Sequence, residues 1–488
     1  MYPSLEIIEQ ISKTEYAYVP VAREIYADFI TPIEVVRILK KQSKHVFLLE
    51  SVEDRKQWGR YSFIGFDPKL EIVCNAGKTH IRNLCDHSSV SYENHQDAIR
   101  EILKNYKSPK VENMPPFTGG LVGYFSYEYI GYVEPKLSYL FGKSDSNDVD
   151  LMLFDTIIAF DNLQQKLFLI TNIALENLTH SYAKANEYLK DLEALLRSGI
   201  KAEIQPFCLL TPPQAKFSQE EFCAMVQKAK EYIYEGDIFQ VVLSNPLRAR
   251  ASGSLFDVYR VLRTSNPSPY MFYFASDDIE IAGASPETLV RLLNQELCTY
   301  PLAGSRPRGK NVDEDMVLQE ELLQDEKELS EHNMLVDLGR NDIGKVAKIG
   351  SVEVRSYMDV VKYSHIMHIS SIVSGILDER KDALDAIRAV LPAGTLSGAP
   401  KIRACEIIYE LEKSPRGIYG GAIGYLDFSG NMDTCIAIRL IYKKDDEVCI
   451  QSGAGIVIDS DPKSEFLETL NKAKAIVEAA NKAQGGVL

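Results

Sequence analysis

The chain has 488 residues, of which 45% are hydrophobic and 25% charged, so it can bury a large core and form two domains or one large composite domain. The formal net charge of −15 argues against non-specific binding to nucleic acid or to an anionic membrane, because a negative field repels phosphates. Eight cysteines are scattered from Cys74 to Cys449 without metal-site spacing, which predicts reduced thiols. The sequence shows no signal peptide and no run of about twenty consecutive apolar residues, which predicts a cytoplasmic location.

The first part of the chain alternates short β-rich runs with polar connectors, which predicts a sheet covered by helices. The runs are residues 45–49, 69–74, 151–160 and 166–171. Around residues 198–214 this periodicity lapses into a polar stretch that contains proline. We therefore place a boundary there, between an N-terminal portion, residues 1–205, and a C-terminal portion, residues 215–488.

The second part begins with a well-marked helix. Ser218 stands three residues before Glu221 as a capping box, and apolar residues then recur at helical spacing until Gly236. Strands and helices alternate irregularly after it, which disfavours a doubly wound parallel sheet. The pattern predicts an α+β fold, large and composite, in which mainly antiparallel sheets pack together with helices on the outside. Strands are predicted at 238–243, 270–274, 420–426, 434–441 and 448–451, and helices at 318–338, 382–391 and 462–483.

Two predicted helices each carry glutamates three residues apart, Glu328 with Glu331 and Glu465 with Glu468. This spacing puts both carboxylates of a pair on one helix face. Hard oxygen ligands from two helices, with positions left for water and a substrate oxygen, are what Mg²⁺ prefers. Taken alone, such pairs are more often solvated helix surface.

Three glycine-containing stretches in the same half could present backbone N–H groups to an anion, namely 301–309, 394–401 and 453–455. The first, Pro-Leu-Ala-Gly-Ser-Arg-Pro-Arg-Gly, is predicted to be a rigid turn in which Arg306 and Arg308 offer donor forks that match carboxylates. The second lacks the Gly-Lys-Ser/Thr order of a phosphate-binding loop. Each stretch can also be a plain turn.

Two further candidates are a histidine and an acid. Residues 363–370 read as a strand whose alternation puts Ile366 and His368 on one face, and His365 and Met367 on the other. Only one of the two histidines can then face a site, although a histidine on a strand is more often bonded to a carbonyl. Glu287 follows a proline after an apolar strand and is a candidate general acid, or else an ordinary turn residue.

Together these residues resemble the chorismate-utilising enzyme family, in particular its anthranilate-forming branch. The shared motifs lie at 301–309, 328–332, 337–342, 394–401, 420–424 and 451–455, and the match covers 217–474 almost without gaps. The N-terminal portion matches more weakly, through residues 48–51 and the stretch from Trp58 to Gly65. The resemblance implies the composite α+β fold of that family.

The resemblance implies a site for chorismate, which carries two carboxylates. In it, Mg²⁺ held by Glu331 and Glu468, with Glu328 and Glu465 beside them, would bind the ring carboxylate. Ser305 stands where threonine is commoner and keeps the hydroxyl. The residues implied for the rest of the substrate are Gly304, Ser305, Thr395, Tyr419, Arg439, Gly453, Ala454 and Gly455.

The implied reaction is a lyase reaction, the first committed step of tryptophan biosynthesis. Ammonia adds at ring C2 as the 4-hydroxyl departs, and elimination of pyruvate then gives anthranilate. Glu287 is implied as general acid with a raised pKa, His368 as a proton-transfer group, and Thr395 as a third catalytic residue. Which half-reaction Glu287 and His368 each serve stays open.

Two positions separate this branch from its relatives. Gln240 replaces the lysine with which isochorismate and salicylate synthases activate water, and Ala303 replaces a lysine nucleophile common in aminodeoxychorismate synthases. Ammonia is then the expected nucleophile. The alternatives are an aminodeoxychorismate synthase component of the folate pathway and, in another class, a catalytically inactive tryptophan-binding regulator, against which the intact acids and His368 speak.

Partners and regulation follow from the same resemblance. The chain carries no nucleophile-elbow cysteine with downstream histidine and glutamate, so ammonia is expected from a separate glutamine amidotransferase subunit. Residues 1–205 would form a regulatory and scaffold portion that packs on a catalytic portion, residues 215–488. Without the resemblance, the stretches around 48–51 and 266–271 read as a strand end and a β-turn. The residues implied for a tryptophan feedback site are Ser51, Pro269, Tyr270, Met271, Ile423 and Tyr425.

Overall fold

The fold is built from two large antiparallel sheets in a computed structural model that describes residues 1–11, 15–51, 59–142, 144–362 and 366–487. The strands are β1 Tyr18–Tyr26, β2 Val46–Glu50, β3 Tyr61–Phe66, β4 Leu70–Asn75, β5 Lys78–Asn83, β6 Ser89–Tyr92, β7 Gly120–Phe125, β8 Val149–Phe154, β9 Thr156–Asp161, β10 Lys166–Ala174, β11 Cys208–Leu209, β12 Gln214–Ala215, β13 Gln240–Ser252, β14 Tyr270–Ala275, β15 Ile279–Ser285, β16 Thr288–Leu293, β17 Glu296–Thr299, β18 Leu302–Pro307, β19 Glu353–Lys362, β20 Ile366–Ile376, β21 Gly398–Ala399, β22 Ala422–Asp427, β23 Met432–Ile436, β24 Leu440–Lys444 and β25 Glu447–Ile456.

Helices cover the outer faces of the sheets. They are α1 Leu5–Ile8, α2 Pro32–Leu39, α3 His95–Asn105, α4 Leu178–Ser198, α5 Gln219–Tyr234, α6 Phe256–Ser265, α7 Val312–Gln324, α8 Glu326–Gly344, α9 Ala383–Val390, α10 Lys401–Glu412 and α11 Pro462–Lys482, with short 3₁₀ turns at Tyr127–Tyr132, Pro135–Leu137 and Gly394–Leu396.

Among the described residues the first sheet has 13 strands, with β1-β10-β9-β3-β2-β14-β15-β24-β25-β13-β11 in order and β12 and β21 also paired to β13. The second has 12 strands, β18-β20-β17-β16-β23-β22-β7-β8-β4-β5-β6, with β19 paired to β20. An apolar layer that contains Phe47 and Phe272 of the first sheet and Tyr124 and Ile423 of the second packs the sheets against each other. Other clusters bury the outer faces under helices. These features confirm the predicted α+β fold.

The chain passes from one sheet to the other within very short links. β8 of the second sheet is followed across Asp155 by β9 of the first, so the β-rich run at 151–160 forms two strands in different sheets. The strand predicted at 434–441 is wrong in the same way, because β23 and β24 belong to different sheets. Between them Arg439 has φ +50, a left-handed conformation that breaks a strand and that few side chains adopt. β15 and β16 also lie in different sheets, joined through Pro286 and Glu287.

Two further predictions need correction. The helix predicted at 318–338 is two helices, because Asp325 has extended backbone and its side chain accepts from the amides of Lys327 and Glu328 as the N-cap of α8. The turn predicted at 301–309 is largely the strand β18, and the loop predicted at 453–455 lies inside β25. In both stretches the backbone N–H and C=O groups pair with neighbouring strands, and the glycines do not prevent this pairing.

Other elements agree with the prediction. The capping box of Ser218 and Glu221 starts α5, and Gly236 lies just beyond its end with φ +84. The helices predicted at 382–391 and 462–483 are α9 and α11. Both sheets contain strands from before and after residues 198–214, so the two portions of the chain share their sheets. No helix of the described ranges is long and apolar enough to span a bilayer.

Candidate active site

A cavity of about 590 Å³ lies where α8, α11, β13, β18, β20 and β25 meet the links between the two sheets. It gathers residues from the two glutamate pairs, the glycine-containing stretches, the histidine strand and the acid. The predicted site residues that line it are Glu287, Gly304, Ser305, Glu328, Glu331, His368, Thr395, Tyr419, Arg439, Gly453, Gly455, Glu465 and Glu468. Ala454 does not line it, and its side chain is fully buried in an apolar cluster on the other face of β25.

Glu287 lies in the link between β15 and β16, and its carboxyl group is enclosed by the cavity walls. The hydroxyl of Thr395 donates to its Oε1 over 3.2 Å. Desolvation raises the pKa of Glu287 to about 8, although the Thr395 hydrogen bond and the charges of Arg439 and Lys472 act to lower it. The group is therefore mostly protonated at neutral pH and can donate a proton.

His368 lies on β20 beside the bulge of β18, and its Nδ1 is 2.9 Å from the carbonyl oxygen of Gly304. Because a carbonyl only accepts, Nδ1 carries the proton in this pair. Desolvation lowers the pKa of His368, so the ring is neutral and Nε2 has the lone pair. Ile366 and His368 both line the cavity, which confirms the predicted alternation, whereas His365 lies outside the described residues, as does Trp58 of the weaker motif.

The four glutamates face the cavity as two pairs, one from α8 and one from α11. Burial and the neighbouring Glu331 raise the pKa of Glu328, and burial, with a smaller effect of Glu468, raises that of Glu465. Within the described part of the chain, no three His, Cys, Asp or Glu side chains are grouped closely enough to hold a metal ion between them. Mg²⁺ usually binds one or two carboxylates and keeps water and substrate oxygens as its other ligands, so the two pairs fit such an ion.

Cationic groups line the same cavity. Arg439 reaches it from the link between β23 and β24, and Lys472 from α11, where its Nζ lies 2.7 Å from Glu468 Oε1 and donates to the Gly453 carbonyl over 3.0 Å. Lys327 lines it from α8. The sequence prediction missed both lysines, although the spacing of four residues between Glu468 and Lys472 on one helix was a signal for the second.

Three glycines in the cavity wall occupy positions where a side chain would be strained or would collide with neighbouring groups. Gly304 has φ +63 at a bulge of β18 between Ala303 and Ser305. A Cβ at Gly453 would lie 2.8 Å from both the Leu243 carbonyl oxygen and the Tyr419 hydroxyl, and one at Gly455 would lie 2.8 Å from Gln240 Nε2. Side chains at these positions would displace Tyr419 and Gln240.

Gln240 and Ala303 both line the cavity. Gln240 is 5% exposed, and its Oε1 has no hydrogen-bond partner among the atoms that the structure describes. A buried acceptor without a donor costs free energy unless a ligand supplies one. Oε1 of Gln240 is therefore a buried acceptor in the cavity wall that no donor of the described residues satisfies.

The two arginines of the first glycine-containing stretch do not line the cavity. Arg306 forms an ion pair with Asp325 at 2.7 Å and lies 3.6 Å from Glu328, while Arg308 grips Asp315 through two hydrogen bonds. They fasten β18 to α7 and α8, so their donor forks bind carboxylates of the protein itself.

A second, smaller cavity of about 110 Å³ lies between the two sheets. Its walls combine aromatic and aliphatic side chains with Arg291 and Asp433. The hydroxyl of Tyr270 donates to Asp433 over 2.8 Å and lies 2.9 Å from the hydroxyl of Thr288, the residue after Glu287. All six residues implied for a tryptophan site line this cavity, namely Ser51, Pro269, Tyr270, Met271, Ile423 and Tyr425.

Known proteins resemble the chain over nearly its whole length. A family profile described as chorismate binding enzyme matches residues 45–478. The chain is 43% identical to anthranilate synthase component 1 of Acetivibrio thermocellus, over 99% of each chain. Anthranilate synthase component I of Streptococcus pneumoniae has a similar structure, with TM-score 0.74 and 36% identity over 93% of this chain and 99% of that one. The menaquinone-specific isochorismate synthase of Escherichia coli shares the fold, with TM-score 0.69 and 19% identity over 98% and 97%.

Proposed function

The chain belongs to the family of chorismate binding enzymes, and from this we propose that it is the catalytic component of an anthranilate synthase. It converts chorismate and ammonia to anthranilate and pyruvate, a lyase reaction at the first committed step of tryptophan biosynthesis. One observation carries the proposal: the carboxyl group of Glu287, whose pKa burial raises to about 8, lines the same cavity as two carboxylate pairs and the cation Arg439. An acid beside an anion site suits loss of a hydroxyl from a dicarboxylate.

Substrate binding is supported by the charges around the cavity. Arg439 and Lys472 attract one carboxylate of chorismate, and the glycine-lined wall of β25 lets it approach the backbone. Glu331 and Glu468, assisted by Glu328 and Glu465, would hold Mg²⁺. When bound, the ion neutralises these acids and attracts the second carboxylate.

The protonated Glu287 donates its proton to the departing 4-hydroxyl, and Thr395 fixes the direction in which the carboxyl points. His368 is neutral with its Nδ1–H held by Gly304, so Nε2 is suited to accept a proton during elimination of pyruvate. We thus propose that Glu287 acts in loss of the hydroxyl and His368 in elimination of pyruvate.

The choice of nucleophile rests on Gln240 and Ala303. An amide does not deprotonate water at neutral pH, and a methyl group forms no covalent adduct. The buried Oε1 of Gln240 can instead accept a hydrogen bond from ammonia. The ammonia is supplied by a glutamine amidotransferase subunit, the second component that the relatives' name implies.

Regulation by tryptophan is proposed at the smaller cavity. Its aromatic walls suit an indole ring, while Arg291 and Asp433 offer opposite charges to the carboxylate and ammonium of an amino acid. Ser51 from the N-terminal portion and Met271 from the C-terminal portion both line it, which supports a regulatory role for residues 1–205 packed on a catalytic portion, residues 215–488. We also propose a cytoplasmic location, in keeping with eight free thiols.

The test is incubation of the purified chain with chorismate, Mg²⁺ and an ammonium salt at mildly alkaline pH. Anthranilate fluorescence and an equal amount of pyruvate are expected. An aminodeoxychorismate synthase would give a non-fluorescent product that retains the pyruvyl group, and an inactive regulator would bind tryptophan without consuming chorismate. Failure of folded protein to form anthranilate contradicts the proposal. Glutamine should replace ammonium only when the amidotransferase subunit is added.

A further inference from the structure

A buried ion pair lies behind the active-site wall. Arg416 is 2% exposed and Glu412 is 1% exposed, and they meet through two hydrogen bonds, 2.6 Å from Nη2 to Oε1 and 3.0 Å from Nε to Oε2. Neither side chain lines the cavity. Removing two charges from water costs free energy, so a pair at this depth is weak evidence for a contribution to stability. The burial of the pair therefore needs another explanation.

Two further donors of Arg416 go to segments that form the cavity wall. Nη1 donates to the carbonyl of Leu396 over 2.6 Å, and Nη2 donates to that of Val242 over 2.6 Å. Cζ of Arg416 lies 4.6 Å from the ring centre of Tyr127 and 5.8 Å from that of Tyr419. Leu396, Val242 and Tyr419 each line the cavity, and Leu396 directly follows Thr395.

Glu412 extends the network to another strand. Its Oε1 accepts from both the amide and the hydroxyl of Ser244, at 2.7 and 2.9 Å, and the Ser244 hydroxyl accepts from Gln451 Nε2 over 2.8 Å. Gln451 lines the cavity from β25. The ion pair thus joins four separate segments: the Gly394–Leu396 turn, β13, Tyr419 and β25.

We propose that Arg416 is a positioning residue for the reaction: its guanidinium, oriented by Glu412, fixes the turn that carries Thr395 and so directs the carboxyl group of Glu287. This inference rests on the proposed function. A planar fork with donors pointing to three acceptors at once is a property of arginine, and lysine with one ammonium group cannot reproduce it. The charge of Glu412 balances that of Arg416, so the pair holds the turn without adding a net charge behind the acid.

The experiment compares wild type, Arg416→Lys, Thr395→Val and the double variant. Initial rates of anthranilate formation are measured from pH 6 to pH 9.5 at a constant concentration of free ammonia and saturating Mg²⁺. The charged groups that bear on Glu287 are Arg439 and Lys472, which all four proteins retain. Since the Thr395 hydroxyl stabilises the ionised acid, its loss moves the basic limb of the profile to higher pH.

Arg416→Lys is expected to lower kcat about tenfold to a hundredfold, with a smaller change in KM for chorismate, because misplacement of a reacting group acts mainly on the transition state. Its basic limb moves in the same direction as that of Thr395→Val, and the double variant moves no further than Thr395→Val alone. Arg403→Lys is the matched control, because Arg403 lies on α10, the helix that carries Glu412, and pairs with Asp237 away from the cavity. It should leave both kcat and the basic limb unchanged.

A basic limb that stays at its wild-type position in Arg416→Lys, or additive shifts in the double variant, would overturn the inference. If Arg416→Lys does not fold, Ser244→Ala tests the same network by removing one donor to Glu412, and an unchanged profile there would also overturn it. Hydrogen exchange of residues 394–398 gives a readout that needs no activity, with faster exchange expected in Arg416→Lys. Inactive wild-type protein would contradict the proposed function alone, since the exchange comparison still decides whether Arg416 fixes the turn.

Discussion

The hydroxyl of Thr395 donates to Oε1 of Glu287 over 3.2 Å, between two residues 108 positions apart in the chain. Thr395 belongs to the Gly394–Leu396 turn, and Glu287 to the link between β15 and β16. The contact leaves the acid protonated but oriented, because one hydrogen bond lowers its pKa less than desolvation raises it. The role of Glu287 as the acid can therefore be tested by substitution.

Replacing Glu287 by glutamine is expected to lower kcat for anthranilate formation about 10²-fold to 10⁴-fold, the usual contribution of a general acid. The KM for chorismate should change little, since the amide keeps the shape of the side chain. Glu410→Gln on the exposed face of α10 is a control that should behave like wild type. Steady-state fluorescence assays measure both constants, and a kcat within threefold of wild type would exclude Glu287 as the acid.

The same substitution is expected to stabilise the protein at alkaline pH. The pKa of Glu287 rises from 4.5 to about 8 on folding, so the unfolded chain loses this proton at a lower pH than the folded one. Stability contributed by the protonated group is complete below about pH 4.5 and is lost as pH rises to about 8, an effect of about 5 kcal/mol. The gain in Tm of Glu287→Gln over wild type should therefore grow from pH 5 to pH 8. A constant difference across that range would contradict the raised pKa.

Removal of divalent metal with EDTA is expected to abolish activity, and added Mg²⁺ should restore it. Glu331→Gln removes one of the four facing carboxylates and should raise the Mg²⁺ concentration for half-maximal rate at least about tenfold. Glu320→Gln, on the exposed face of α7, is the control. Rates measured against free Mg²⁺ decide the point. A Glu331→Gln curve that coincides with wild type would remove this residue from the metal site.

Substitution of Gln240 by leucine tests the unsatisfied acceptor. The change removes a buried oxygen without a partner, so the Tm should stay equal or rise. If Oε1 receives ammonia, the KM for ammonia should rise about tenfold, the value of one hydrogen bond of about 1.4 kcal/mol, while that for chorismate changes less. Equal changes in the two KM values would argue that Gln240 only shapes the wall.

Ser51→Val tests the smaller cavity, which Ser51 lines at the end of β2. Loss of the hydroxyl should raise the tryptophan concentration for half-inhibition about tenfold, because a polar group of the ligand loses its partner. The uninhibited kcat should be unchanged. Ser91→Val, exposed on β6, provides the matched control. Inhibition curves at fixed chorismate measure the effect, and an unshifted curve would place tryptophan elsewhere.

Much of this site could be predicted because its residues sit in short local motifs. The capping box of α5, the glutamate spacing and the alternation around His368 each depend on neighbours within four residues. The break at Asp325 was also readable, since an aspartate three residues before Glu328 is an N-cap pattern. The continuous apolar periodicity on both sides of Asp325 instead favoured one long helix.

Other features could not be read from the sequence. Nothing near Arg439 marks a strand break, because the residue is neither glycine nor proline and its positive φ is imposed by the two sheets that it joins. The assignment of 301–309 to a turn followed its glycines and prolines, yet pairing with β20 made most of it a strand. For Arg416 the one local signal is its spacing of four residues from Glu412, because its other acceptors are carbonyl groups of distant segments.

The two links that carry Glu287 and Arg439 run side by side between the sheets. The amide of Ile436 donates to the Glu287 carbonyl, and the amide of Ala284 donates to the Arg439 carbonyl, each over 3.0 Å. Glu287 and Arg439 thus lie on neighbouring links that are hydrogen-bonded at the junction of the two sheets, so a shift of one sheet relative to the other would displace both residues. A molecule bound between the sheets in the smaller cavity would therefore change the positions of the reacting groups without touching the substrate.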